Sequence, residues 1–248
     1  MPIPRVSLPL SLVKETLQYM VDCVILNGTE EGVVKGPFDK RLLRIVLVRH
    51  GETDWNRTRR FQGRHGPGLN RTGRAQAEAL ASTLREEPLK AIHSSPLARA
   101  METAKVINRY HQVSLEQSNG LMEMDLGDFE GLQLEDLMKG YPDFFKQWSE
   151  DPALVRMPNG ETLQEVQERA WALVEEIVRA SSGGSVLLCG HNFVNLTILC
   201  KILGLGLTHF RRLRQARGTI NIIERDRGRY SLVCINDTCH LKGIDRSS

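Results

Sequence analysis

Cysteine is scarce in this sequence, and the thiols that are present show no pairing pattern. Five cysteines occur in 248 residues, and none of them forms a CxxC pair. They are Cys23, Cys189, Cys200, Cys234 and Cys239. An odd number at these spacings argues against a disulfide framework and against a zinc site. We therefore expect free thiols, no bound metal and a reducing compartment, the cytoplasm.

A strong charge of either sign is also missing. Lys and Arg number 33 and Asp and Glu number 30, so the formal net charge is only +3. This balance does not favour a general binder of nucleic acid or of a membrane surface. No apolar run reaches the ~20 residues that a membrane-spanning helix needs. The composition, 41% hydrophobic, is typical of a soluble globular protein with one large core, so any basic site must be local.

The first 43 residues differ in pattern from the rest. Apolar residues recur at helical spacing between Leu12 and Val24, which predicts a short amphipathic helix, and NGTEEGVVKGPFDK predicts a linker. The apolar face would pack on the domain or on a second copy of the chain in a homodimer, and targeting is a further alternative. We thus divide the chain into an N-terminal extension (residues 1–43), a main domain (residues 44–240) and a C-terminal tail (residues 241–248).

From residue 44 onward, short apolar runs alternate with longer helical patterns. RIVLVRH, LKAIHSS and GSVLLCGHN predict strands. NRTGRAQAEALASTLREE, PLARAMETAKVINRYH and GETLQEVQERAWALVEEIVRAS predict helices, the first of them capped by Thr72. Further short helices between residues 132 and 149 should break at Gly140 and Pro142, and residues 218–236 predict a strand pair that turns at 226–228. The alternation predicts an α/β fold, a three-layer α/β/α sandwich with a mostly parallel central sheet.

Basic side chains occur where the predicted strands end. Arg49 and His50 follow IVLV, His191 follows VLLC, His93 ends a third strand, and Arg99 begins the next helix. Ligands of an open α/β sheet bind beyond the carboxyl ends of its strands, so these groups should meet at one rim. Cations gathered in this way repel one another unless an anion binds among them, and phosphate matches the arginine fork. Taken singly, each could be a structural or solvated residue; together they favour a phosphate site.

A carboxylate lies in a second segment that suits chemistry. LMEMDLGDFEG places Glu123 among apolar neighbours in a loop that contains glycine. Burial there would raise its pKa and suit it to general acid catalysis. The alternative is one more exposed carboxylate.

Four blocks in this order resemble the histidine phosphatase superfamily, in its phosphoglycerate mutase-like branch. They are LVRHGETDWN with RFQG, then SSPLARAMETA, then LMEMDLGDFEG, then GHN, and the resemblance covers about residues 44–236. It implies a phosphoglycerate mutase-like fold and a catalytic domain at residues 44–240. It also implies a metal-independent phosphomonoesterase, without a cofactor, that acts on a small phosphorylated metabolite through a phosphohistidine intermediate.

The resemblance assigns roles residue by residue. His50 would be the nucleophile, Arg49, Arg99 and His191 would hold the phosphoryl oxygens, and Glu123 would be the proton donor to the leaving group. The implied substrate-binding positions are Asn56, Arg49, Arg99, Gln62, Gly63 and Asn192. Family members commonly have glycine where this chain has Asn192, whose backbone N–H could still meet a phosphate oxygen and whose amide could add a donor. The expected partner is a small-molecule phosphomonoester, with no nucleic acid and no membrane.

Two other functions stay open at this point. A bisphosphoglycerate-dependent phosphoglycerate mutase must keep its phosphohistidine dry, and the stretch from Glu123 to His191 leaves no room for a large extra lid, which favours a phosphatase. A non-catalytic phosphate-binding regulatory module is disfavoured because all the implied catalytic residues are present. A third function, a dehydrogenase on a similar sheet, is excluded. It would need a glycine-rich turn after the first strand, and the turn here, RHGET, has only one glycine.

The substrate itself stays open among phosphosugars, phosphoglycerate derivatives and ribazole phosphate. Residues 143–162 should cap the pocket, and their apolar side chains would either line it or pack the cap on the domain. These side chains are Phe144, Phe145, Trp148 and Met157. The arginines near RFQG would either bind a second anionic group or form a solvated basic face. They are Arg57, Arg59, Arg60 and Arg64.

Overall fold

A six-stranded sheet forms the centre of the molecule. The computed structural model describes residues 42–244. The strands are β1 (Leu43–Arg49), β2 (Leu89–Ser94), β3 (Ser114–Gln117), β4 (Gly184–Gly190), β5 (Ile220–Asp226) and β6 (Arg229–Asp237). Their order across the sheet is β3-β2-β4-β1-β5-β6. The first four in this order run parallel, while β5 is antiparallel to both β1 and β6. The predicted mostly parallel sheet is therefore confirmed, and the predicted strand pair forms its antiparallel edge.

The helices of the described range alternate with these strands. They are α1 (Asp54–Arg57), α2 (Arg71–Leu84), α3 (Ala98–Asn108), α4 (Leu134–Gly140), α5 (Pro142–Glu150), α6 (Leu163–Ala180) and α7 (Asn192–Ile202). Short 3-10 helices occupy Asn119–Leu121, Gly127–Phe129, Leu207–Arg212 and Cys239–Leu241. The predicted break between α4 and α5 is confirmed, since α4 ends at Gly140 and Pro142 is the first residue of α5, where its missing N–H costs little.

Helices cover both faces of the sheet, which gives the expected three layers. Side chains alternate between the two faces along each strand. Ile45 and Leu47 of β1 belong to the core that contains Val166 of α6 and Ile198 of α7. Val46 and Val48 face the other way, into the core formed with Leu80 of α2 and Ile107 of α3. The runs IVLV and VLLC are continuous in apolar residues because both of their faces are buried.

Two helix starts show how the sequence fixes local structure. Thr162 and Glu165 form a reciprocal capping box at the start of α6, the longest helix of the described part of the chain. At α2 the predicted cap, Thr72, is wrong. Asn70 caps this helix instead, because its backbone is extended and its side chain accepts a hydrogen bond from the N–H of Gly73 at 2.8 Å.

Some sequence predictions fall outside the described residues. The amphipathic helix between Leu12 and Val24 and the linker after it lie there, as does the end of the tail at residues 245–248, and they stay predictions. Between residues 42 and 244, no helix is both long enough and apolar enough to cross a membrane.

Candidate active site

The loop after β1 carries His50 at the centre of the sheet's carboxyl edge. The backbone N–H of His50 donates to Gly190 O of β4 at 3.2 Å. On the other side, the N–H of Gly218 donates to the carbonyls of Arg49 (3.2 Å) and His50 (3.1 Å). The chain at His50 is thus held between the ends of β4 and β5, and the side chain is only 2% exposed.

Two glycines allow the helix α2 to approach this loop closely. A Cβ on Gly51 would lie 2.4 Å from the carbonyl oxygen of Gly73, and a Cβ on Gly73 would lie 2.0 Å from that of Glu52. Both distances are shorter than side-chain atoms tolerate, so glycine is required at both positions. Gly51 lies in the RHGET segment, whereas no motif in the sequence marks Gly73.

His50 has a defined tautomer in this structure. Its Nδ1 lies 2.6 Å from the carbonyl oxygen of Gly51, which can only accept, so Nδ1 carries the hydrogen and Nε2 carries the lone pair. Burial lowers the pKa of His50 well below 6.5, and the nearby charges of Arg99 and Arg49 lower it further. A neutral imidazole with a free Nε2 is the form that can act as a nucleophile.

His191 faces His50 and has the opposite tautomer. The two ring centroids are 4.9 Å apart, and His191 is fully buried. Nε of Arg99 donates to Nδ1 of His191 at 3.2 Å, so in the neutral ring the hydrogen is on Nε2. That Nε2 has no hydrogen-bond partner within residues 42–244. Burial, followed by the charge of Arg99, lowers the pKa of His191 as well. The result is a neutral N–H donor, His191, beside a neutral imidazole with a free Nε2, His50.

Arg49 and Arg99 supply the positive charge of the site. Arg99 is 2% exposed and donates to the carbonyls of Gly63 (2.6 Å) and His65 (3.2 Å). Burial lowers the pKa of each arginine to about 10, so both guanidinium groups stay charged at neutral pH. One buried and one partly buried cation beside two neutral imidazoles give an arrangement that suits a phosphoryl group.

Asn56 and Gln62 lie next to this loop and bond to each other. Thr53 and Asn56 form a capping box at the start of α1. Nδ2 of Asn56 donates to Oε1 of Gln62 at 3.0 Å, and the hydroxyl of Thr53 donates to the same oxygen at 2.8 Å. Gly63 joins the site through its carbonyl, which accepts from Arg99. Three of the six predicted substrate-binding positions, Asn56, Gln62 and Gly63, thus lie around the His50 loop.

Glu123 is buried as expected, but its carboxylate is surrounded by backbone donors. It is 3% exposed, and it accepts from the N–H groups of Asn192 (2.9 Å), Phe193 (3.0 Å) and Val194 (3.3 Å). These are N–H groups of the first turn of α7, which have no partner inside the helix. Glu123 therefore caps α7, where the residue in the cap position, His191, makes no side-chain cap bond.

The arrangement of Asn192 differs from the sequence expectation. Its N–H, expected to meet a phosphate oxygen, donates to Glu123 instead. Its side-chain oxygen accepts from Arg49 at 3.3 Å. In this structure Asn192 connects the carboxylate to one of the arginines of the site.

His93 does not join the cluster, so its prediction as part of the rim is wrong. It is the penultimate residue of β2, and its Nδ1 lies 3.5 Å from a carboxylate oxygen of Glu116. It lines a groove with Glu116 and Glu176 of α6. His50 and His191 immediately follow their strands, whereas a residue inside a strand points to one face of the sheet.

The structure also decides the two alternatives left for the cap and the arginines. Phe144, Phe145 and Trp148 pack with Phe129 in a cluster of ring contacts, so they join the cap to the domain. Met157 is also buried in this core.

Most of the arginines near RFQG bond to other groups of the protein. Arg57 pairs with Asp54, and Arg60 donates to Gly131 O. Arg64 pairs with Asp125 and Glu161, while Arg59 is exposed.

Two residues near the site were not identified from the sequence. Glu52 is 1% exposed, and its carboxylate accepts from Nδ2 of Asn70 at 2.9 Å. Arg217 lies in the turn before β5 and contacts the carboxylate of Glu52 at 3.5 Å. No motif marks Arg217, because only the pairing of β5 with β1 brings it to the site. Over the described part of the chain, no group of three or more His, Cys, Asp or Glu side chains is arranged to hold a metal ion.

Comparisons with known proteins agree on one family. The family model of the histidine phosphatase superfamily (branch 1) matches residues 45–238. Phosphoserine phosphatase 1 of Hydrogenobacter thermophilus is 32% identical over 200 residues, which cover 81% of this chain and 95% of that protein.

Solved structures share the fold. The structure of Bacillus stearothermophilus YhfR has a TM-score of 0.77 and 31% identity, covering 81% of this chain and 100% of that one. The structure of a mycobacterial glucosyl-3-phosphoglycerate phosphatase has a TM-score of 0.73 and 27% identity, covering 80% and 100%.

Proposed function

The chain belongs to the histidine phosphatase superfamily, branch 1, and is a phosphatase; we propose that it hydrolyses its substrate through a phosphohistidine at His50 and without a metal ion. The observation that carries this proposal is the state of His50. Its imidazole is buried and neutral, and the bond from Nδ1 to Gly51 O leaves Nε2 free to attack phosphorus.

The first step transfers the phosphoryl group to the protein. Nε2 of His50 forms a bond to phosphorus while the bond from phosphorus to the ester oxygen breaks. Arg49, Arg99 and the Nε2–H of His191 stabilise the charge on the phosphoryl oxygens, which is the main catalytic requirement of such a transfer. The leaving alkoxide takes a proton from Glu123, which must be protonated for this step.

The second step returns the phosphoryl group to water. Glu123, now ionised, accepts a proton from the attacking water, the bond from phosphorus to His50 breaks, and inorganic phosphate leaves. Backbone N–H groups at the start of α7 donate to this carboxylate and hold it in place for both steps. After hydrolysis Glu123 is protonated again, so the cycle closes without an added reactant.

The substrate that we propose is a small phosphorylated metabolite. The names of two relatives specify phosphoserine and glucosyl-3-phosphoglycerate, and both compounds are phosphomonoesters of a small carboxylic acid. We also propose a cytoplasmic location, which the free thiols of Cys189, Cys200, Cys234 and Cys239 support.

The test is phosphate release from p-nitrophenyl phosphate in excess chelator, with a rapid acid-free quench to trap the phosphoprotein. We expect turnover and a covalent phosphate on the wild type, both lost in His50→Ala and both kept in the matched control His209→Ala, which changes an exposed histidine. Loss of activity in chelator would contradict the metal-independent mechanism. Phosphoglycerate interconversion that requires bisphosphoglycerate would identify a mutase, and phosphate binding without either reaction would identify a regulatory module.

A further inference from the structure

Arg217 occupies a position from which it can contact a substrate bound at His50. It precedes Gly218, whose N–H donates to the carbonyls of Arg49 and His50. Its guanidinium donates to the carbonyl oxygen of Asn56 at 3.2 Å, so the side chain extends across the loop that carries the nucleophile. The side chain is 34% exposed, whereas Arg99 is buried. Arg217 is therefore a cation beside the site that solvent reaches.

The charge of Arg217 affects the pKa values of groups in the site. Its charge contributes to the lowered pKa of His50, after burial and the charges of Arg99 and Arg49. It also contributes to the lowered pKa of Arg49. An anion placed between these groups would relieve this repulsion.

The contacts that Arg217 makes within the protein do not use all of its N–H donors. A guanidinium has five N–H donors. The contact with Glu52 is long, at 3.5 Å, and Glu52 also receives a shorter bond from Asn70 at 2.9 Å. The phosphoryl group already has three partners in Arg49, Arg99 and the Nε2–H of His191. Arg217 is thus a third cationic group, after Arg49 and Arg99, on the side of the site marked by Asn56.

We propose that Arg217 binds a carboxylate of the substrate, so that the enzyme selects phosphomonoesters that carry a carboxylate over those that do not. This inference rests on the proposed function, because it assumes that the phosphoryl group binds at His50. A carboxylate suits this position because a guanidinium already bonded to Asn56 O can still offer N–H groups to a planar anion. Among the arginines near RFQG, Arg57, Arg60 and Arg64 bond to groups outside the His50 loop or on the protein surface.

The experiment compares two phosphomonoesters that differ only in this group. In 3-phosphoglycerate a carboxylate stands where glycerol 3-phosphate has a hydroxymethyl group. The measured quantity is the ratio of kcat/KM for the two compounds, because effects on the phosphoryl transfer itself cancel in it. We expect the wild type to favour 3-phosphoglycerate by about 10-fold or more, as a charged hydrogen-bonded pair would give. Arg217→Gln should bring the ratio close to one, mainly through KM.

Two further variants separate binding from structural support. Arg217→Lys keeps a positive charge near Glu52 but loses the fork, so it should fold and show an intermediate ratio. Its result decides the question if Arg217→Gln does not fold. Arg212→Gln is the matched control: it removes the same charge from an exposed arginine of the preceding 3-10 helix and should leave the ratio unchanged.

The outcomes that overturn the proposal are distinct from failure of the proposed function. A wild-type ratio near one, or an unchanged ratio in Arg217→Gln and Arg217→Lys, excludes carboxylate recognition by Arg217. An equal loss with p-nitrophenyl phosphate and 3-phosphoglycerate in Arg217→Gln would make it a positioning residue for the loop. If the wild type hydrolyses no phosphomonoester, the proposed function fails. The role of Arg217 is then tested by the rise in Tm that each compound causes relative to the free protein. A larger rise with 3-phosphoglycerate than with glycerol 3-phosphate, lost in Arg217→Gln, supports carboxylate binding, and equal rises overturn it.

Discussion

His50 and His191 face each other at 4.9 Å between ring centroids, with their hydrogens on opposite nitrogens. The carbonyl of Gly51 fixes the hydrogen of His50 on Nδ1, and Nε of Arg99 leaves the hydrogen of neutral His191 on Nε2. One ring therefore offers a lone pair and the other offers a donor. A phosphoryl group bound between them would meet a nucleophile on one side and a hydrogen-bond donor on the other, without a proton transfer between the two rings.

Replacement of Arg99 by lysine tests how this pair is held. Lysine keeps the charge but cannot donate at once to His191, Gly63 and His65, so the His191 tautomer and the loop at residues 63–65 lose their support. We expect Arg99→Lys to lower kcat by about 10²–10³, as loss of a preorganised donor does. Steady-state kinetics on p-nitrophenyl phosphate measure this, with Arg109→Lys on the surface as control. Retention of more than half of kcat would show that charge alone suffices.

The two roles of Glu123, proton donor and cap of α7, have different signatures. In Glu123→Gln the carboxyl proton is lost, so release of an alkyl alcohol should slow by about 10²–10⁴, while release of p-nitrophenol, a good leaving group, should slow much less. The lost helix cap should also lower the free energy of unfolding by about 1 kcal/mol. The measurements are kcat/KM for an alkyl and an aryl phosphate together with urea unfolding. An equal decrease for both esters would leave Glu123 with the structural role alone.

Buried neutral histidines make stability depend on pH. Because burial lowers the pKa of His50 well below 6.5, the unfolded chain takes up a proton below that pH before the folded chain does. The free energy of unfolding should therefore fall as pH falls below 6.5, by about 1.4 kcal/mol per pH unit for each such histidine. In His50→Asn this loss between pH 6.5 and 5 should be smaller by up to about 2 kcal/mol. Urea unfolding at several pH values measures the slope; parallel curves for the variant and the wild type would be incompatible with a buried neutral His50.

The aromatic cluster beneath the cap should contribute to stability far more than to substrate binding. Phe129 is fully buried and contacts the rings of Phe61, Tyr141, Phe144 and Phe145. Phe129→Ala should lower the free energy of unfolding by about 3–5 kcal/mol. Tyr110→Ala, at a side chain that is 55% exposed, should change it by less than about 0.5 kcal/mol. A rise in KM without loss of stability would instead place these rings in the substrate pocket.

The layers of the fold and most of the candidate site could be predicted from the sequence, because the end of an apolar run marks the end of a buried strand. The apolar runs before His50 and His191 end abruptly, so both histidines were placed at the same rim, as the structure confirms. His93 was misplaced because it lies one residue inside β2, and a strand turns successive side chains to opposite faces. The hydrophobic pattern of a sequence does not locate the end of a strand to within one residue, so this error could not be avoided.

Other features depend on contacts between distant segments and could not be predicted. The apolar neighbours of Glu123 indicated burial, but nothing in LMEMDLGDFEG shows that the start of α7 donates to its carboxylate. The strand pair at the end of the domain was predicted, but its pairing with β1, which brings Arg217 to Glu52, was not. Asn70 and Thr72 are both suitable caps, and only the extended backbone at Asn70 distinguishes them.

The position of β1 has a consequence for how the enzyme is made. β1 is flanked in the sheet by β4 and β5, so Leu43 pairs with Gly184 and Arg225. During synthesis from the N-terminus, β1, which His50 directly follows, emerges from the ribosome long before either of its neighbours. Until then its apolar faces have no sheet to join, and such exposed strands are prone to aggregate. Because Gly218 and Thr219 also bond to the backbone of Arg49, catalytic competence begins only once nearly the whole domain has been translated.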